Sequence, residues 1–227
     1  SEKEQVEKRP YAVMLNNIKV ASPQSGIGQA DIVYEALTEA GITRFLALFS
    51  EIGEGTPAAD RLGSVRSARH YFVSFADEYD AIFVHFGETT YAAKKMKKLK
   101  IDHITGMYGA GVSSFYRDKS IKAPHNAFAS LEGIEKAVER AGIRTEYEEG
   151  YESHFRFHAQ DTDILAEEGM QEATGLTLGF SAYTSPYFTY DKDTKLYTRY
   201  QFGGVHTDYN TGGALTFKNL IIQLVDE

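Results

Sequence analysis

Apolar residues in this chain arrive in short runs. Tyr11 to Leu15 (YAVML), Phe45 to Phe49 (FLALF) and Ala81 to Phe86 (AIFVHF) are too short for buried helices and long enough for buried strands. Between such runs lie segments whose apolar residues recur on one helical face. Ser130 is placed to cap a helix in which Leu131, Ile134, Ala137 and Val138 share a side and which Gly142 ends. Thr90 to Lys100 reads as another helix. The alternation predicts an α/β core, with a mixed α+β arrangement as the alternative. No run approaches the ~20 apolar residues of a membrane-spanning helix.

A charged leader, Ser1 to Arg9, precedes this core as a tether, and Asn16 and Asn17 close the first strand. Asp31 to Glu51 carries both helical and alternating patterns; two strands turning near Gly41 suit it better. Ser64 is a good N-cap for a helix presenting Ala68, Tyr71, Phe72, Phe75 and Ala76. Past the acidic stretch Glu146 to Glu152 the character changes. Eight aromatic residues fall among the 23 from Phe180 to Phe202, with turns at Asp191-Lys192-Asp193 and Gly203-Gly204, which is β-rich sequence. Leu220 to Val225 (LIIQLV) reads as a central strand with Glu227 close behind it, so the natural chain is expected to continue. The expected division is a leader over 1–9, an α/β domain over 10–170, and the start of a truncated β-rich domain over 171–227.

Charge and residue types remove several classes of function. With 24 Lys+Arg against 32 Asp+Glu the net charge is -8, which argues against a general nucleic-acid binder. The absence of cysteine excludes thiol catalysis, cysteine zinc sites and iron-sulfur clusters within the chain. His154 and His158 have i,i+4 spacing, but Phe155-Arg156-Phe157 alternates like a strand and would hold the two rings apart. Asp191-Lys192-Asp193 opens like a calcium loop, yet Leu196 stands where glycine is required and Phe202 where glutamate is. P-loop and GxSxG motifs are absent, and Gly26-Ile27-Gly28 lacks the third glycine of a dinucleotide fingerprint. Neither a metal nor a cofactor is expected.

What remains is a set of directed polar residues. In Arg61 to His70 (RLGSVRSARH), a glycine and a capping serine would lead into a helix on which Arg66 and Arg69 lie one turn apart, a mouth suited to a carboxylate, phosphate or sulfate. The alternative is that these arginines pair with local acids such as Asp60, Asp77 or Glu78. In Ala123 to Asn126 (APHN), proline holds the chain extended and His125 and Asn126 offer two directed side chains, unless His125 merely satisfies a tight turn. His85 lies in an apolar strand before Gly87, as a hydrogen-bonded core histidine or a general base. Glu35 and Arg44 alternate with apolar residues in the expected hairpin, where they would point from one face. The five lysines from Lys94 to Lys100 read as a solvated helix face, with approach to an acidic polymer or anionic lipid surface as the alternative. The aromatic segment reads as ordinary sheet or as a sugar-stacking platform.

Arg9-Pro10 with AVMLNN, then SPQSGIGQADIVYEALTEAGITRFLALF, GSVRSAR, HFG and APHN, in that order, resemble the YerB-like lipoproteins of Gram-positive bacteria from about Arg9 through Leu224. Ser64 stands where that family commonly has a proline, which favours the N-cap. The resemblance implies a signal peptide and lipid-modified cysteine upstream, an extracytoplasmic location at the membrane, and a β-rich C-terminal domain beginning near Thr177. It carries over no catalytic residue.

The leading expectation is therefore a membrane-tethered binding protein that recognises an anionic or carbohydrate-containing envelope ligand through Arg44, Arg66, Arg69, His125 and Asn126. A metal-independent hydrolase or lyase is the alternative, with Glu35, His85 or His125 as acid or base and Arg66 stabilising negative charge. A protein-binding scaffold is a third. Strand ends and loops gather along one edge of an open α/β sheet, so Glu35, Arg44, Arg66, Arg69, His125 and Asn126 are predicted to line one concave surface, with Arg66 near the N-terminus of its helix.

Overall fold

The computed structural model describes residues 8–50, 56, 60–153, 155 and 171–225. The chain forms β1 (Tyr11–Asn17), β2 (Ile32–Leu37), β3 (Thr43–Phe49), a short β4 (Leu62–Gly63), α1 (His70–Asp77), β5 (Ile82–His85), α2 (Thr90–Leu99), β6 (His103–Thr105), β7 (Phe115–Arg117), β8 (Ala127–Ala129) and α3 (Leu131–Ala141). Five strands make the central sheet in the order β2-β3-β1-β5-β6. β1 runs parallel to β5, and β5 to β6, while β3 is antiparallel to β1 and β2. The sheet is thus mixed.

Alternation along each strand sorts the apolar residues onto two faces. Val13, Leu15, Phe45, Ala47, Phe49 and Val84 pack beneath Leu131, Ile134, Ala137 and Val138 of α3. Ala12, Met14, Leu46, Leu48 and Phe83 meet Phe72, Val73 and Ala76 of α1 and Ala92 and Met96 of α2. Full burial of a side chain such as Ile134 contributes roughly 1.5–3 kcal/mol, which is what holds each amphipathic helix on its face. The caps agree with the sequence reading: Ser130 Oγ accepts from the Gly133 amide, and Gly142 ends α3 in the left-handed conformation at φ 64.

The segment around Ser64 departs from expectation, because no helix starts there. The Val65 amide goes to the Ala127 carbonyl, the Arg66 amide to the Met14 carbonyl, the Phe86 amide to the Arg66 carbonyl, and the Ala68 amide to the Gly87 carbonyl. Residues 62–68 form an extended strap across the carboxyl ends of β1 and β5. Of the expected helical face only Ala68 lies in the strap, whereas Tyr71, Phe72, Phe75 and Ala76 fall within α1. Leu62 and Val65 belong to the core on one face and Ala68 to the core on the other, so the strap crosses over the sheet edge between them. Gly63 makes the crossing feasible: it sits at φ +147, and a Cβ there would lie 2.6 Å from Phe128 Cδ1. The helix begins at His70 with Arg69 as its N-cap residue.

β4, β8 and β7 form a small three-stranded sheet, and β9 (Gly175–Thr177), β10 (Tyr187–Asp191), β11 (Leu196–Gln201), β12 (Gly204–Val205) and β13 (Thr216–Phe217) form a second five-stranded sheet in the order β12-β11-β10-β9, with β13 also on β11. Asp191 Oδ1 accepts from the Asp193 amide at 2.8 Å, making the turn a hairpin turn as its sequence indicated. Leu220 to Val225 is not a strand. It carries no ladder among the described residues, and Ile221 and Leu224 are 80% and 94% exposed, so its apolar pattern is left without a partner face. Leu215 and Phe217 nevertheless reach the core beneath α3, which ties the strand-rich region to the first sheet. The architecture is mixed α+β.

Candidate functional site

The strap carries Arg66 and Arg69 to the carboxyl ends of the parallel strands, where Arg44 projects from the end of β3. Arg44 is 1% exposed. Its Nη1 donates to the Ser67 carbonyl at 2.6 Å and its Nη2 to Glu39 Oε1 at 2.7 Å. Arg69 grips the same carboxylate side-on, with Nε 3.1 Å from Oε2 and Nη2 2.7 Å from Oε1. Arg66 donates Nη1 to the Pro124 carbonyl at 3.1 Å, while the buried Nε atoms of Arg44 and Arg66 have no hydrogen-bond partner.

The electrostatics follow from that crowding. Burial, then the Arg69 charge, push the Arg44 guanidinium down to about 10, with Glu39 opposing and Arg66 adding to the depression. Arg66 is lowered by burial and by Arg69 and Arg117, against Glu39. Burial alone would raise Glu39, yet the hydrogen bonds from Arg69 and the charges of both arginines bring it below the usual carboxylate range. Glu39 is the carboxylate that acts on both Arg44 and Arg66, so positive charge is in excess. Elsewhere, Arg9 and Arg144 line a cleft in which Asp80 and Asp102 answer them at 2.7–3.0 Å. That cleft is charge-balanced; the strap site is not.

His125 joins this group. Its Nδ1 lies 3.0 Å from Asn16 Nδ2, and with that amide donating, neutral His125 carries its proton on Nε2. Burial and the charges of Arg66 and Arg44 lower its pKa. Asn126 stands next to the site as an anchor. Its Oδ1 accepts from Arg117 at 2.7 Å and its Nδ2 donates to the Asp118 carbonyl at 3.1 Å, which closes the loop that presents His125.

Glu35 lies elsewhere, and here the sequence reading needs correction. The register sets Glu35 opposite Phe45 and Arg44 opposite Ala36, so the two side chains leave opposite faces of the sheet. Glu35 Oε1 accepts from Asn17 at 2.9 Å and Thr43 at 2.7 Å, and Oε2 from Arg199 at 2.9 Å. Acid or base chemistry uniting Glu35 with Arg66 has no geometric basis. His85, fully buried, places Nδ1 2.9 Å from the Gly87 carbonyl and Nε2 2.9 Å from His103 Nδ1, and burial pushes it down to about 4. It behaves as a neutral core histidine. His154 and His158 lie outside the described residues. Among the described residues, no group of three His, Asp or Glu is placed to hold a metal ion.

Sequence reasoning missed Glu39 and Asn16, and it marked Arg117 only as preceding the APHN loop. Glu39 sits two residues before Gly41 in the expected turn, and its role rests on the strap lying beside that turn, which no local pattern records. The local acids Asp60, Asp77 and Glu78 are not what Arg69 pairs with; Glu39 is.

A five-stranded mixed sheet covered by helices on both faces, a strand-rich region docked against it and a cationic strap across the parallel strand ends define a two-part α+β protein. The chain belongs to the DUF3048 family: the family model "Protein of unknown function (DUF3048) N-terminal domain" matches residues 1–144, and its C-terminal counterpart matches residues 176–227. It is 35% identical over 229 residues to "Putative lipoprotein YerB" of Bacillus subtilis (strain 168), an alignment that takes in 98% of this chain and 64% of that relative. The crystal structure of YerB protein from Bacillus subtilis superimposes with a TM-score of 0.77 at 34% identity, covering 95% of this chain and 69% of that one. The chain thus spans somewhat under two thirds of the length of its curated relative.

Proposed function

We propose that this chain is part of an extracytoplasmic lipoprotein, anchored to the membrane by a lipid upstream of these residues, that binds an anionic component of the cell envelope at the Arg44–Arg66–Arg69 cluster. The description of the Bacillus subtilis relative as a lipoprotein supports the address. The observation that carries the activity is Arg44: a guanidinium 1% exposed, set among like charges and with its Nε unanswered. A buried charge is costly unless paired and hydrogen-bonded, so an arginine left short of acceptors among other arginines is a place prepared for an anion. His125 Nε2 and Arg117 extend the donor set toward solvent, and glycan hydroxyls attached to the anion would meet them.

The test is calorimetric titration of the chain at low ionic strength with an acidic cell-wall polymer fraction, in parallel with Arg66→Ala. Removing one charge-assisted contact is expected to weaken binding by about tenfold or more. Circular dichroism and the melting temperature should stay close to the parent. An unchanged affinity in Arg66→Ala, or a melting temperature lowered with no change in binding, would make the strap a folding determinant and overturn this reading.

A further inference from the structure

Glu39 shows what a two-oxygen planar anion achieves in this site. Its carboxylate takes the side-on edge of Arg69 and the Nη2 of Arg44, and both of its oxygens are then engaged. Three sets of donors remain over: Arg44 Nε, which shares an edge with the Nη2 that Glu39 half fills; Arg66 Nε with its neighbouring Nη2; and the His125 Nε2 proton. They belong to different side chains and no single plane is imposed on them. One carboxylate is therefore the wrong shape and carries too little charge to satisfy the cluster. A tetrahedral group with three terminal oxygens and up to two negative charges matches what is left unmet.

The position of Glu39 gives the second half of the argument. Its side chain is 53% exposed, whereas those of Arg44 and Arg69 are 1% and 16% exposed. The carboxylate covers the arginines from the solvent side, on the short turn between β2 and β3. Moving that one side chain outward would free the Nη2 of Arg44 and the Nε–Nη2 edge of Arg69 from their carboxylate.

We infer that the group recognised is a phosphoryl group, and that it binds on the guanidinium edges of Arg44, Arg66 and Arg69 in the place that the Glu39 carboxylate now holds. The inference rests on the anion-binding reading above and specifies its ligand chemistry. A free phosphate monoester and the phosphomonoester headgroup of phosphatidic acid present the same group, so the experiment separates them.

The chain is titrated at pH 7.5 and constant ionic strength with inorganic phosphate, glycerol phosphate and sodium acetate, and is mixed with phosphatidic acid vesicles in a sedimentation assay. Phosphate is expected to bind at least ~tenfold more tightly than acetate. Glu39→Gln, which withdraws the competing charge, should tighten phosphate binding by about tenfold. In the parent chain, the Glu39 and Ala40 amide resonances should shift as phosphate is added, a readout that survives if the variant folds poorly. Binding to vesicles but not to free phosphate would assign the group to a lipid headgroup; binding to both soluble phosphates without vesicle sedimentation would assign it to a soluble ligand. Equal affinity for acetate and phosphate, or a Glu39→Gln affinity that is unchanged or weaker, would overturn the phosphoryl assignment and leave the anion site standing. No binding of phosphate, acetate or the acidic polymer would remove both.

Discussion

Arg44 and Arg199 are both almost wholly buried, and they are buried in different company. Arg199, on β11, is 2% exposed and faces the first sheet. Its Nη2 meets Glu35 at 2.9 Å, its Nη1 meets His206 Nδ1, and its guanidinium lies 5.1 Å from the Phe45 ring centroid. The chain of contacts continues from His206 Nε2 to Gln24 Oε1 at 2.5 Å, and from Gln24 Nε2 to the Asn16 carbonyl at 2.8 Å. One carboxylate answers one guanidinium, and neutral groups complete the network. Arg44 is equally buried, yet it shares its carboxylate with Arg69 and feels Arg66 as well. Burial alone does not point to a binding arginine; unmatched donors and surplus like charge are what carry the proposal for Arg44.

Breaking the first arrangement has the largest expected effect. Arg199→Met leaves the Glu35 charge without its cationic partner at the junction between the two sheets, a class of change that costs roughly 3–5 kcal/mol. Urea denaturation measures it. Glu35→Gln combined with Arg199→Met should recover most of that loss, because both charges are then gone. A loss below ~1 kcal/mol for the single variant would show that the pair at the junction is no more structural than the arginine cluster.

The same network is sensitive to pH in a way that sharpens the contrast. Burial and the neighbouring Arg199 push His206 down to about 3, against about 6.5 in an unfolded chain. The folded state therefore refuses a proton that the unfolded state accepts. Stability is fully present above pH 6.5 and falls as the pH drops toward 3, by up to ~1.4 kcal/mol per pH unit for one such group. His85, pushed down to about 4, adds a contribution of the same sign. Denaturation curves between pH 7 and pH 5 should show the decline, and His206→Gln should flatten part of it. A slope identical to the parent's would mean that His206 does not hold the junction in its neutral form.

Much of the scaffold is legible in the sequence because its signals are local. The Ser130 cap, the Leu131–Ile134–Ala137–Val138 face and Gly142 specify α3 without reference to anything distant. The turn near Gly41 and the hairpin at Asp191 are read as directly. The strap is hidden because Ser64 has the side chain of a cap and Ala68 continues the spacing of Tyr71, Phe72, Phe75 and Ala76 on α1, while the amides of Val65, Arg66 and Ala68 are taken by distant carbonyls. Leu220 to Val225 has the composition of a strand, but a strand needs a neighbour to accept its ladder, and composition does not supply one. The arginines were visible in the motif, whereas their shared carboxylate was not, since Glu39 reaches Arg69 only after the sheet has formed.

Replacing Arg44 tests the other side of the contrast with a smaller effect on stability. Arg44→Met removes two hydrogen bonds but also relieves repulsion from Arg66 and Arg69, and a buried charge exchanged for an apolar chain of similar length is often close to neutral. The change in unfolding free energy should stay within ~1–2 kcal/mol, well below that of Arg199→Met, while anion affinity falls by about tenfold or more. A loss as large as that of Arg199→Met would make Arg44 a second structural arginine.

The smallest effect concerns the point where the two regions touch. Ser181 Oγ and Thr184 Oγ1 both donate to the Gly41 carbonyl, the latter at 3.2 Å, so the strand-rich region holds the turn that carries Glu39. Thr184→Val removes one of two donors to a carbonyl that keeps the other, which is expected to cost ~0.5–1 kcal/mol. If the turn is merely supported from behind, phosphate affinity in Thr184→Val should stay within about threefold of the parent, since Glu39 remains bound to Arg44 and Arg69. If instead affinity rises as far as in Glu39→Gln, the strand-rich region governs how firmly Glu39 covers the arginines. The structural network and the anion site would then be one coupled unit, because loosening the grip on Gly41 would act at the arginines without altering any residue that touches them.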